Sequence, residues 1–322
     1  MEINMMRLII LMMSMTTPTT LKKIDYPPIT ERAADVMLGS CNGVVCFFVH
    51  HHGIDDPVYI CNPVTSEYVY FPRLTTCETH DSLRNNMVTG FGYHHSTNEY
   101  KDVRIYYDYN QPSLVGQVQV YTLGGGDGWR NKGEITHSLY PISSKGVFAN
   151  GAIHWMDAVQ GIILAFDLAD EEFRLLPSPP PLEIHKSSHV GIRLWGGYLC
   201  VFYVYQGKCV DIWTLKKKKK TSSCDEVKEQ AEYNSSWSWS RELSIAWEGP
   251  VKGTYYWPFA LAKSNEVLLF YNRILSCYDP KTATLKKLWD DDMGSSYIEA
   301  IPHMNSLVSL KALGEKSVMR RR

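Results

Sequence analysis

The residues best suited to chemistry in this chain are its histidine clusters, His50-His51-His52 and His94-His95, which are the side-chain types a transition metal would take. Adjacent residues on a strand point to opposite faces and do not converge on one ion, so an exposed loop is the expectation for both clusters. Asp290-Asp291-Asp292 offers carboxylates without the spaced pattern of a calcium loop, and reads as a solvated acidic turn. The glycine-rich run 124–128 leads from a strand into Trp129-Arg130 rather than into a helix, which fits a hairpin loop better than a phosphate cradle. A Walker loop, a Gly-x-Ser-x-Gly elbow and a His-Glu-x-x-His motif are all absent from the sequence. The pattern therefore assigns no catalytic, metal or cofactor-binding residue, expects no cofactor, and points away from an enzyme.

Composition narrows the partners. A net charge of -1 removes the whole-chain electrostatic argument for nucleic acid or an anionic membrane surface. The eight cysteines form no Cys-x-x-Cys pair and most sit in apolar runs, which predicts buried reduced thiols and a cytoplasmic or nuclear setting. Leu8 to Met13 follows Arg7 and has the look of a short leader, but Ser14-Met15-Thr16 is a poor cleavage site and an N-terminal extension is the alternative. The sequon at Asn234 matters only on the leader reading.

Whatever these residues do, strands must position them. From Val36 onward, short runs rich in β-branched and aromatic residues recur between Gly, Asn, Asp and Pro, and no stretch keeps a helical period for three turns. A two-part phrase repeats. Gly39-Ser40-Cys41-Asn42-Gly43 with Val58 to Asn62 and Pro63 reappears as Gly146 to Trp155, carrying Asn150-Gly151, with Ile163 to Asp167. Related glycine-turn strands are read near Gly90-Phe91-Gly92, Gly196-Gly197 and Ser264-Asn265, with partner strands ending near Leu123, Trp213 and Asp279. A spacing of roughly 40 to 50 residues is that of a four-stranded propeller blade. The expected fold is all-β, a β-propeller-like (kelch-like) repeat of short antiparallel strands. Residues 1–35 are read as an irregular extension, 36–311 as the propeller-like domain and 312–322 as a basic tail. The lysines from Lys216 to Lys220 open what reads as a long inter-strand loop.

Taken in order, Ser40-Cys41-Asn42-Gly43, Asn62-Pro63-Val64-Thr65, Gly90-Phe91-Gly92-Tyr93, Trp129-Arg130, Asn150 to Trp155, Phe166 to Phe173, Asp211-Ile212-Trp213, Tyr278-Asp279-Pro280 and Ser306 to Leu310 resemble the F-box-associated domain of plant F-box proteins. The last two resemble its closing strands. The resemblance implies a substrate-receptor module of an SCF-type ubiquitin ligase that binds an unknown target protein. No F-box-like segment precedes Val36, so Skp1 and cullin are expected as partners only if an F-box is supplied. A derivative acting as a non-ligase binder or competitor, and a propeller glycan binder or hydrolase, are the alternatives.

Cys41, Asn42, Gly43, Asn62, Pro63, Asn150, Gly151, Trp155, Asp167, Trp213 and Asp279 have a structural reading of their own: tight turns, Asx caps, strand exits and packing anchors. Partner contacts are expected instead on loops 50–57, 108–116, 124–130 and 216–239, with His51, His52, Tyr109, Trp129, Arg130, Lys218 and Trp237 as candidates.

Overall fold

The computed structural model describes residues 9–12, 20–23, 34–50, 58–72, 87–107, 115–139, 145–157, 160–180, 189–205, 209–218, 236–246, 257–261, 266–271, 274–289, 301–316 and 318–320. Among them there are strands and no α-helix, hence none long and apolar enough to cross a membrane. The fold is all-β of the β-propeller kind, assembled from five four-stranded antiparallel meanders. The chain divides into two compact units, one of 1–146 with 291–322 and the other of 147–290.

In the first unit, β1 (Ile9–Met12) and β2 (Thr20–Lys23) form a hairpin within the stretch expected to be irregular. Blade 1 is β3 (Ala34–Cys41), β4 (Val44–His50), β5 (Val58–Asn62) and β6 (Glu67–Tyr70). Blade 2 is β7 (Met87–His94), β8 (Glu99–Tyr107), β9 (Gly116–Thr122) and β10 (Trp129–Ile135). In the second unit, blade 3 is β11 (Val147–Ala149), β12 (Ala152–Asp157), β13 (Ile162–Asp167) and β14 (Phe173–Leu175). Blade 4 is β15 (His189–Trp195), β16 (Tyr198–Tyr205), β17 (Cys209–Lys217) and β18 (Trp237–Ala246). Blade 5 is β19 (Trp257–Leu261), β20 (Val267–Tyr271), β21 (Ile274–Asp279) and β22 (Thr284–Trp289).

The chain then returns to the first unit, where β23 (Pro302–His303) runs parallel to β1 and β24 (Met319–Arg320) pairs antiparallel with β6. The stretch read as a basic tail thus adds a strand to blade 1.

The repeated phrase corresponds to two turn positions that recur among the blades. At the first hairpin, a two-residue loop with both residues at positive φ appears three times: Asn42 and Gly43 (43° and 82°), Asn150 and Gly151 (52° and 82°), and Gly196 and Gly197 (55° and 89°). That conformation matches the strand twist and strongly favours Asn and Gly. At the third hairpin, Asn62, Asp167 and Asp279 each accept a bond through Oδ1 from the backbone N–H two residues on, at 2.8 to 2.9 Å. The fourth residue after each of them, Ser66, Glu171 or Ala283, takes a positive φ of 54° to 60°. One loop design therefore closes blades 1, 3 and 5.

Blade 2 departs from the expected alignment. Gly90 and Gly92 lie inside β7, and the turn that follows is closed by Asn98 at φ 57°. Middle strands are buried on both faces, as in β12, whose residues are all buried and include Trp155.

Candidate functional site

The four loops expected to carry partner contacts leave their sheets at different ends. In a meander, the first and third hairpins leave one end and the second leaves the other. In blade 2 the 108–116 connection is the second hairpin and 124–130 the third, so they leave opposite ends of one sheet. The 50–57 connection is likewise a second hairpin, and 216–239 a third. His51, His52 and Tyr109 lie outside the described residues.

Trp129 and Arg130 open β10 rather than standing on a free loop. The Trp129 indole donates through Nε1 to Pro72 O at 2.8 Å, packs against Phe71 and Tyr121, and lies under the Arg104 guanidinium, 4.1 Å from its carbon to the ring centroid. Arg104 and Asp102 are both 0% exposed. Arg104 Nε donates to Asp102 Oδ2 at 3.2 Å while Thr89 Oγ1 donates to Oδ1 at 3.1 Å. Arg130 donates to Thr122 Oγ1 at 3.0 Å. The cluster holds blade 2 together around a buried ion pair.

A second aromatic and cationic group surrounds the lysine run. Lys216 and Lys217 belong to β17, paired with Ser238 and Trp237 of β18, so the run begins in the sheet rather than in the loop. Lys216 Nζ reaches Glu242 at 2.5 Å, and together with bonds from Thr214 and Ser240 it holds the Glu242 carboxyl below its ordinary value. The Lys217 ammonium sits 5.7 Å from the Trp237 ring, and Lys218 N donates to Ser236 O at 2.7 Å. Trp213, Trp237 and Trp239 are half-buried against the core formed by blades 3 and 4, and Trp239 Nε1 donates to Pro177 O at 2.9 Å. These tryptophans are packing elements first.

A feature that the sequence reading did not single out is a largely irregular strap, 301–316 with 318–320, laid over the first- and third-hairpin turns of blade 1 and the third-hairpin turn of blade 2. Ser306 to Leu310, expected as a closing strand, lies in it with no strand assignment. Ser306 Oγ donates to Asn42 O at 3.1 Å, which Tyr100 also reaches at 3.0 Å. Asn62 Nδ2 donates to Ser306 O at 3.1 Å and to Val308 O at 2.7 Å. Tyr121 and Gly124 N both donate to Glu315. Gly43 and Gly124 permit this closeness: with positive φ, a Cβ on Gly43 would stand 1.9 Å from Ser306 Oγ and one on Gly124 1.7 Å from Leu313 O.

The strap's anchor is Glu67, 1% exposed. Its carboxylate accepts from Arg320 at 2.7 Å, Ser309 Oγ at 3.2 Å and Leu310 N at 2.7 Å. Burial pushes the carboxyl's pKa up, but the bonds from Arg320, Ser309 and Leu310 outweigh it and hold the group below 4.5. The unfolded chain then binds the proton more tightly, so the stabilisation is complete above the ordinary glutamate range and is lost as pH falls through the lowered folded value. Glu67→Gln is expected to cost about 2 kcal/mol at pH 7 and to hasten proteolytic clipping of the strap. Urea midpoints should show the gap between variant and parent closing as pH falls through the lowered folded value, where the parent carboxylate is itself protonating.

The nucleophiles and imidazoles are quiet. Among the described residues Cys41, Cys46, Cys61, Cys200, Cys209 and Cys277 form no disulfide; burial raises the Cys41 and Cys46 thiols and brings Cys61 and Cys200 to about 12. Burial lowers His154 and His303 to about 4, which keeps both neutral. Among the described residues no group of three His, Cys, Asp or Glu is placed to hold a metal; His94 bonds Thr97 and His95 packs on Tyr93. Asp290 to Asp292 fall outside the described residues.

A family model described as the F-box associated beta propeller domain matches residues 11–308. Three Arabidopsis thaliana proteins show the range of similarity. The F-box protein At3g07870 is 27% identical over 314 residues, covering 83% of this chain and 70% of that protein. The F-box/kelch-repeat protein At3g23880 is 25% identical, covering 76% and 60%, and the F-box protein CPR1 is 24% identical, covering 67% and 55%. The match to the latter two spans less than two thirds of their length. Among solved structures, Aleuria aurantia lectin in complex with alpha-methyl-L-fucoside aligns at a TM-score of 0.46 with 8% identity, over 91% of this chain and 96% of that one.

Proposed function

The chain belongs to the F-box-associated β-propeller family, and from that premise we propose that it is a protein-interaction module that holds a target protein for ubiquitin transfer by an SCF-type ligase. Catalysis on this reading is proximity alone: the module raises the local concentration of the target near a conjugating enzyme and itself makes or breaks no bond. The observation that carries the reading is the family match over 11–308, in the company of relatives named as F-box proteins. The chemistry of the core agrees with it, since burial raises the Cys41, Cys46, Cys61 and Cys200 thiols and keeps His154 and His303 neutral. The cytoplasm or nucleus is the compartment that suits both reduced thiols and ubiquitin conjugation.

Affinity capture of the tagged full-length chain from proteasome-inhibited plant cells tests the proposal. The expected result is a specific co-purifying protein that accumulates under inhibition, joined by Skp1 when an F-box is supplied by fusion at the N-terminus. Capture of a target by the F-box fusion with no ubiquitination of that target would overturn the ligase assignment. A folded chain that retains no protein above background, yet binds an immobilised glycan panel, would overturn the interaction reading itself.

A further inference from the structure

The strap presents one side chain in an unusual way. Leu307 is 83% exposed, although the carbonyls on either side of it, Ser306 O and Val308 O, are both held by the buried Asn62 amide. The same amide's Oδ1 accepts from Val64 N at 2.9 Å, which brings Val64, 41% exposed, to the same spot; Met304, three residues before Leu307, is 48% exposed. An exposed leucine on a mobile loop needs no explanation. Here the backbone beneath the leucine is fixed by two bonds from one side chain, and Ser306 is tied again through Oγ to Asn42 O. Fixing the backbone in advance removes the ordering cost that an anchor residue would otherwise carry on binding.

Among the described residues, exposed charge on the strap is one-sided. Glu67 beneath the strap is turned to Leu310, Ser309 and Arg320, and Glu315 within it to Tyr121 and Gly124. The strap's bases, Lys311, Lys316 and Arg320, are exposed. We infer that Leu307, flanked by Val64 and Met304, is an anchor onto which a partner protein docks an amphipathic helix whose apolar face is bordered by carboxylates. A helix offers a hole between four side chains that accepts one protruding apolar knob, and carboxylates at its borders face the strap's bases. This surface rests on the protein-interaction reading above and specifies where and what it binds.

Two fluorescein-labelled synthetic helices with the same leucine face, one bordered by Glu and one by Lys, serve as probes for the full-length chain. Fluorescence anisotropy is expected to show the Glu-bordered helix binding at least tenfold more tightly, with affinity falling as salt rises. Leu307→Asp should weaken that binding at least tenfold, Val64→Asp severalfold, and Lys311→Glu with Lys316→Glu should abolish the preference between helices. Because Leu307 lies outside the packed core, Leu307→Asp should melt at the parental temperature, separating lost binding from lost folding. Equal binding of both helices, or parental binding by folded Leu307→Asp, overturns the inference. If Leu307→Asp still captures the same cellular target as the parent, this surface fails while the interaction reading stands. If the parent binds the Glu-bordered helix but captures no protein from cells, the surface stands and the interaction reading fails.

Discussion

Asp102→Ala should cost the fold about 3–5 kcal/mol, because it leaves a guanidinium in the interior without its counter-charge. Residues two apart on β8 share a face, which is what places the carboxylate of Asp102 beside Arg104. Both are completely buried, and the carboxylate accepts from Arg104 at one oxygen and from Thr89 at the other. The Trp129 ring 4.1 Å from the Arg104 guanidinium carbon compensates the cation only in part. Urea denaturation followed by tryptophan emission measures the effect, and Trp129 makes that signal sensitive to this site. Asp102→Ala combined with Arg104→Leu should recover a large share of the loss, since the stranded charge is then gone. A single-variant loss under about 1 kcal/mol would show that the pair does not carry blade 2.

Trp155→Ala should be comparably costly, about 3–5 kcal/mol, through cavity formation. Trp155 is wholly buried in β12, paired with Leu164 of β13, and its ring meets Phe173, which in turn stands edge-on to Phe166. Removing the indole empties the contact between the centre of blade 3 and its last strand. Trp155→Phe, which keeps much of the volume, should cost appreciably less. A shift in urea midpoint for Trp155→Ala no larger than that for Trp155→Phe would contradict this packing role.

These two sites differ in how far they could be read from residues alone. Trp155 lies five residues after Asn150, in the short apolar strand that the Asn150-Gly151 turn opens, and its size marks it as a packing anchor. Asn42-Gly43, Asn150-Gly151 and Gly196-Gly197 were legible for a physical reason, since few residues accept two successive positive φ values. Gly90 and Gly92 misled for the complementary reason: glycine is permitted in a strand where backbones approach closely, and Asn98 supplied the turn instead.

The candidate contacts were less legible. Trp129, Arg130 and Trp237 follow glycine- or lysine-rich segments and so read as loop-borne, whereas each lies on a sheet ladder. The strap's docking on blades 1 and 2 escaped because its bonds join residues distant in sequence: Ser306 to Asn42 across 264 positions, Arg320 to Glu67 across 253. Local periodicity carries no record of such pairings. A buried Glu67 within an otherwise polar turn, with an arginine-rich terminus, was the available signal. Two charges of opposite sign do not, without the fold, declare themselves a pair.

The central claim is that this chain acts by holding another protein, and quantitative affinity capture addresses it most directly. Full-length chain and Trp155→Ala would be expressed side by side in proteasome-inhibited plant cells, and bound proteins measured by mass spectrometry. The account predicts at least one protein enriched on the parent and depleted on the destabilised variant, with a lifetime in uninhibited cells that shortens as the parent is overexpressed. An identical background set on both chains, with no protein's lifetime altered, would contradict it.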